Sequence, residues 1–137
     1  MGIENVKANS NENILGKINA KGLPIVHEAN IILNRLCFIS KSFDKFYKGN
    51  LTDKLINYAL EFKMQIYKAV DAYEEKKKYE HIILAIENLT CLFALLDSCV
   101  DMKLISINNL ADLEMHLSPA KEQLEKWKNY VKSKMKI

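Results

Sequence analysis

An all-α fold, an antiparallel up-down-up-down four-helix bundle behind a polar N-terminal tail, is what this sequence predicts, on three observations. Four stretches after Leu23 repeat apolar residues at spacings of three and four, the rhythm of helices that each bury one face. Only four Gly and two Pro interrupt 137 residues, too few for a protein of many short strands. The breaks between stretches are short, and short connections set successive helices antiparallel. With 49% hydrophobic and 27% charged residues the chain has the composition of a folded protein, and its length suits one domain.

Taken in order, residues 1–22 read as a polar tail, or at most a short extra helix around Ile14 to Ile18, and residues 23–137 as the bundle. The first helix opens at Pro24, suited to a first-turn position because it lacks an N–H that would be unpaired there anyway. Its apolar stripe is Val26, Ala29, Leu33, Leu36, Ser40, Phe43 and Tyr47, and Gly49-Asn50 is the expected stop. The second stripe is Leu55, Ala59, Phe62, Ile66, Ala69 and Tyr73, with Glu74 to Lys78 as the turn. The third is Ile82, Ile86, Leu89, Phe93, Leu96 and Val100. Ser106 is placed to cap the fourth helix, whose stripe is Leu110, Leu113, Leu117, Ala120, Leu124, Trp127 and Val131. Pro119 falls inside that helix. Because the apolar phase continues through it, one kinked helix is expected rather than two.

Charge and cysteine usage bound the function. Net charge is +3, and the last stretch carries it, with six Lys from Lys121 to Lys136 against Glu122 and Glu125. On the fourth helix Lys121, Lys128 and Lys132 align within about 40° at 100° per residue, a stripe suited to phosphates or to a neighbour's acidic edge. Arg35 is the only arginine, so recognition of nucleic acid would rest on point charges and read the backbone in a sequence-tolerant way. Cys37, Cys91 and Cys99 have no paired spacing and read as free thiols of a reducing cytoplasm. No uninterrupted apolar run reaches the ~18 residues of a membrane span, and Met1 to Gly22 has no apolar signal core.

Catalytic signatures are missing. The residues three before His27, His81 and His116 are Pro24, Lys78 and Leu113, so the Glu-x-x-His pairs of di-iron bundles do not occur. There is no phosphate-cradling glycine loop, no nucleophile elbow and no zinc-peptidase motif. No enzyme and no cofactor are expected. Phe43, Phe62, Phe93 and Trp127 lie on the apolar stripes and read as core, whereas Tyr67 and Tyr130 lie off them and read as partner contacts.

Leu23-Pro24-Ile25-Val26, the break Phe43-Asp44-Lys45, the run Leu51-Thr52-Asp53-Lys54-Leu55-Ile56 and the lone Trp127 together resemble the accessory variability determinant (Avd-like) proteins of diversity-generating retroelements. Their relatives are the four-helix proteins encoded by intervening sequences in large-subunit ribosomal RNA genes, and the likeness covers about residues 23–132. The resemblance implies a basic, barrel-like homopentamer of four-helix bundles. It would bind nucleic acid and the element's reverse transcriptase, supporting mutagenic cDNA synthesis without being a polymerase. It also implies that Lys45, Lys48 and Lys54 join Lys121, Lys128 and Lys132 as nucleic-acid-binding positions. The competing expectation is a helix-face interaction module, or an intervening-sequence-type protein, with no retroelement role.

Overall fold

The computed structural model describes residues 23–135. The expected tail at 1–22, its short helix around residues 14–18, and Lys136 lie outside the described residues. Four long helices make up the rest: α1 (Pro24–Ser40), α2 (Asp53–Asp71), α3 (Glu75–Asp101) and α4 (Ile107–Lys134). α1 and α3 each pack against both α2 and α4, so the contacts close into a ring of four. Among the described residues there is no strand.

α1 starts at Pro24, where the Leu23 carbonyl accepts from the N–H groups of Val26 and His27. Its core face is Ile25, Val26, Ala29, Ile32, Leu36 and Ile39, so Ile32 takes the place expected of Leu33, which is only partly buried. The helix also stops earlier than its apolar rhythm suggests. The Ser40 hydroxyl donates to the Cys37 carbonyl at 3.3 Å and the Ser42 hydroxyl to the Ile39 carbonyl at 2.9 Å. Such bonds offer the backbone an alternative to continuing the helix. Phe43 then tucks into the core from the turn, and Asp44 is extended at ψ 149°.

Gly49-Asn50, the expected stop, is no break at all. A helical turn at Lys45–Tyr47 widens into a π turn at Lys48–Thr52 and runs on into α2. The Asn50 amide donates to the Phe46 carbonyl at 3.1 Å within this segment. In α2 the expected residues Leu55, Ala59, Phe62, Ile66 and Ala69 are all buried, but Tyr73 lies past the helix end and is 91% exposed.

The turn to α3 is Ala72–Glu74, tighter than the expected Glu74–Lys78. Lys78 belongs to the first turns of α3 and reaches back, donating to the carbonyls of Ala69 at 3.0 Å and Val70 at 3.3 Å. It thereby satisfies acceptors that the end of α2 leaves open, at the negative pole of that helix. α3 buries Ile82, Ala85, Leu89, Leu92, Leu96 and Cys99, while Ile86, Phe93 and Val100 sit at the core margin. Contrary to the expectation from uninterrupted runs, α3 is long and apolar enough to cross a membrane by length and composition, with a window of mean hydropathy 1.8. A core helix meets the same test, and here Glu87 and Asp97 stand on its exposed side.

α3 ends in two interlocking backbone bonds. Leu104 N–H donates to the Cys99 carbonyl at 2.8 Å and Lys103 N–H to the Val100 carbonyl at 2.9 Å, with Lys103 left-handed at φ 62°. This is a Schellman closure with lysine where glycine is usual. Ser106 then caps α4 as expected, accepting from Asn109 N–H at 3.0 Å. α4 continues as one helix across Pro119, and Leu113, Leu117, Ala120, Leu124 and Val131 are buried beneath it.

Candidate nucleic-acid interface

The six lysines singled out from sequence fall into two groups rather than one patch. Lys45, Lys48 and Lys54 are exposed on the helical run entering α2. Lys121, Lys128 and Lys132 follow one flank of α4, with Lys121 and Lys132 exposed and Lys128 partly covered. Lys128 lies within electrostatic reach of Tyr79 on α3, beside the α2–α3 turn. Fifteen residues of α2 separate Lys54 from Ala69 at that turn, about 22 Å of helical rise.

One lysine of each group borders α3. Lys54 lines a groove shared with Asn88 of α3, and Lys121 lines another with Phe93 of α3. The groups differ in how fully their charge is available. Glu125 accepts from Lys128 at 2.8 Å, and this hydrogen bond holds the ammonium above the ordinary lysine value. Lys121 shares its groove with Glu122 and Glu125. Among the described residues no carboxylate pairs with Lys45, Lys48 or Lys54. Arg35 is engaged with Asp112 across α1 and α4.

Exposed aromatic rings accompany the lysines, and most were not legible in the apolar rhythm. Phe46, next to Lys45 in the same helical turn, is 75% exposed and meets Tyr47 edge to face with centroids 5.0 Å apart. Phe38 is 74% exposed with the Lys41 ammonium 6.0 Å over its ring. Tyr130, expected as a contact residue, is exposed with Lys134 5.2 Å over its ring. Tyr67, given the same role from sequence, instead packs against the core. Of the four aromatics read as core, Phe43 and Phe62 are buried, and Phe93 and Trp127 are partly buried against the cluster. The signal for Phe38 and Phe46 was their position off the stripe, the same criterion that singled out the tyrosines.

Two polar arrangements had no sequence signature. Across α1 and α4, the His116 ring lies 2.7 Å from Glu28, one ion pair along from Arg35 and Asp112. A carboxylate can only accept here, so His116 Nδ1 carries the proton. Between α2 and α3, Gln65 is buried at 6% exposure and donates to Glu61 at 2.8 Å, while its amide oxygen lies 2.7 Å from His81 Nδ1. Because Gln65 spends its nitrogen on the carboxylate, its oxygen accepts from His81 Nδ1–H. Glu61 is thus held in place from beneath. It lines a groove of about 340 Å³ together with Lys54, Asn57, Tyr58 and Asn88.

Among the described residues no three His, Cys, Asp or Glu side chains gather closely enough to hold a metal ion. Cys37 and Cys91 are exposed, and Cys99 is buried, which pushes its thiol up from the ordinary value. No protein-family model, curated protein or solved structure matches the chain.

Proposed function

We propose that this chain is a non-catalytic accessory protein of a diversity-generating retroelement, a cytoplasmic homo-oligomer, pentameric as the resemblance implies, that binds nucleic acid and docks a reverse transcriptase. In this reading the four helices form an antiparallel up-down-up-down bundle. The cross-links support that arrangement: Lys78 meets Ala69 while His81 meets Gln65, and Arg35 meets Asp112 while His116 meets Glu28, so partner numbers fall as residue numbers rise.

The observation that carries the nucleic-acid reading is the exposed Lys45, Lys48 and Lys54, none of them ion-paired among the described residues, with the exposed Phe46 ring beside Lys45. Ammonium groups attract phosphates, and an exposed ring offers a stacking face that any base accepts. The same segment holds two of the sequence stretches that carry the family resemblance. Titration of a labelled single-stranded RNA at rising salt tests it. Affinity should fall steeply as counterion release loses its advantage, and a curve indifferent to salt would refute electrostatic binding. Co-purification with a diversity-generating-retroelement reverse transcriptase tests the partner, and light scattering tests the ring.

An interaction module without nucleic acid is the second reading. It is favoured by large apolar side chains left in the open, including Met64 on α2, Leu84 on α3 and Met115 on α4. It requires that replacing Lys45, Lys48 and Lys54 with Ala leave partner binding unaffected.

A further inference from the structure

We propose that the groove between α2 and α3 is a guanine-reading subsite, adding one base-specific position to an otherwise sequence-tolerant surface. The inference rests on the nucleic-acid reading above and deepens it. Lys54, Asn57, Tyr58 and Glu61 follow one another at i, i+3, i+4 and i+7, which places them on one face of α2. Asn88 closes the groove from α3. At about 340 Å³ the space is of small-ligand size.

The polar groups in it are already committed in ways that select the ligand. The Asn88 nitrogen donates to the Leu84 carbonyl at 2.9 Å, which leaves its carboxamide oxygen as a free acceptor. Glu61 receives one bond, from Gln65 on Oε2, and keeps Oε1 and a further lone pair uncommitted. The groove therefore offers the Glu61 carboxylate and the Asn88 oxygen as acceptors, a single cation in Lys54, which makes no ion pair with Glu61, and the Asn57 amide and Tyr58 hydroxyl, which can donate or accept. A ligand with adjacent donors at one end and an anion at the other matches the carboxylate and the lysine together.

Guanine in a single strand meets both demands. Its N1–H and N2 amino group are neighbouring donors that match the two oxygens of a carboxylate. Adenine and cytosine would offer one amino donor beside a ring-nitrogen acceptor, and uracil one N3–H between two carbonyls, so none of them can give the carboxylate two adjacent donors. Seven residues separate Lys54 from Glu61, about 10 Å of rise, comparable to the reach from a nucleotide's phosphate to the far edge of its base. Tyr58, half-buried between them, supplies a ring for the base to lie against. The buried Gln65 and His81 act as positioning residues. They fix the carboxylate before the ligand arrives, which removes an ordering cost from binding.

The test uses the full chain with two labelled RNA single strands, one of uridines only and one with a single central guanine. Guanosine and inosine monophosphates serve as small probes, read by the side-chain amide NMR signals of Asn57 and Asn88. The guanine strand should bind at least about fivefold tighter, the lower range for a paired base contact. Inosine monophosphate, which lacks the N2 amino group, should bind more weakly than guanosine monophosphate. Glu61→Gln should abolish the preference, with the uridine strand bound no more weakly than before, while Lys54→Ala should weaken both strands alike. Unchanged melting of each variant shows that the fold is intact. Equal affinity for the two strands, or a preference that survives Glu61→Gln, overturns the guanine site and leaves general binding standing. Strands that fail to bind while guanosine monophosphate still does would overturn the nucleic-acid reading but sustain the groove. If neither binds, both fall.

Discussion

Lys103 holds a left-handed conformation, φ 62°, that costs a residue with a Cβ about 1 kcal/mol and costs glycine little. The backbone bonds that close α3 do not use its side chain, and the residue is exposed. Lys103→Gly should therefore raise unfolding stability by about 1 kcal/mol, read as a higher denaturant midpoint at unchanged slope. Gly49 is the mirror case. Its φ is negative, it sits within a helical segment, and a Cβ there would meet nothing within 4 Å. Gly49→Ala should stabilise by about 0.5–1 kcal/mol, mainly by restricting the unfolded chain. A loss of stability would mean that the π turn needs glycine for a reason other than space. These two positions also explain why the helix ends were poorly legible in the sequence. A glycine that does not stop a helix and a lysine that does invert the usual punctuation, and the hydroxyl groups of Ser40 and Ser42 end α1 without either. Ser106, whose side chain does what a capping serine ordinarily does, was read correctly.

Between elements, the periodic stripes located the core well because burial follows helical geometry. Phe62, Leu89, Leu113, Leu117 and Leu124 are all fully buried. What the stripes could not show is how one helix fastens to the next, since that depends on long side chains crossing a seam. Lys78 is the example. The run Glu74 to Lys78 reads as a charged turn, yet its last residue donates to the α2 carbonyls of Ala69 and Val70 from within α3. Lys78→Met keeps the aliphatic stem and removes the ammonium, leaving those carbonyls and the α2 dipole without their cation. The expected cost is about 1 kcal/mol. Hydrogen exchange should report it as faster opening of the last turn of α2, with the first turn unchanged. Equal protection at both ends would show that water replaces the lysine without loss. The Glu61–Gln65–His81 chain escaped the sequence reading for the same reason, because its link from Gln65 to His81 crosses between helices and none of the three sits in a recognisable motif.

At the scale of the whole molecule, the lysines stay in the two groups that their sequence positions set, one on the helical run entering α2 and one along α4. α3 lies between Lys54 on one side and Lys121 and Lys128 on the other, with about 22 Å of α2 rise separating Lys54 from the level at which Lys128 approaches Tyr79. A strand that touches both groups must cross the outer side of α3, where Thr90, Cys91 and Ala94 are exposed and bear no charge, with Glu87 and Asp97 the repulsive charges to either end. At one phosphate per ~3.4 Å of a B-form strand, 22 Å corresponds to about six or seven phosphates. Single strands shorter than that cannot hold Lys54 and Lys128 at once, and the group near α2 should win because Glu125 offsets Lys128. Affinity measured against strand length should therefore rise in a step near seven nucleotides, accompanied by a steeper salt dependence as Lys128 and Lys132 engage. Neutralising Lys45, Lys48 and Lys54 together should lower the salt slope by about two, at ~0.7 per lost contact on a single strand, and should nearly abolish binding of the short strands. A smooth rise with length, or short strands that ignore the triple substitution, would mean that the phosphate path does not run over α3 and that the two lysine groups serve different partners.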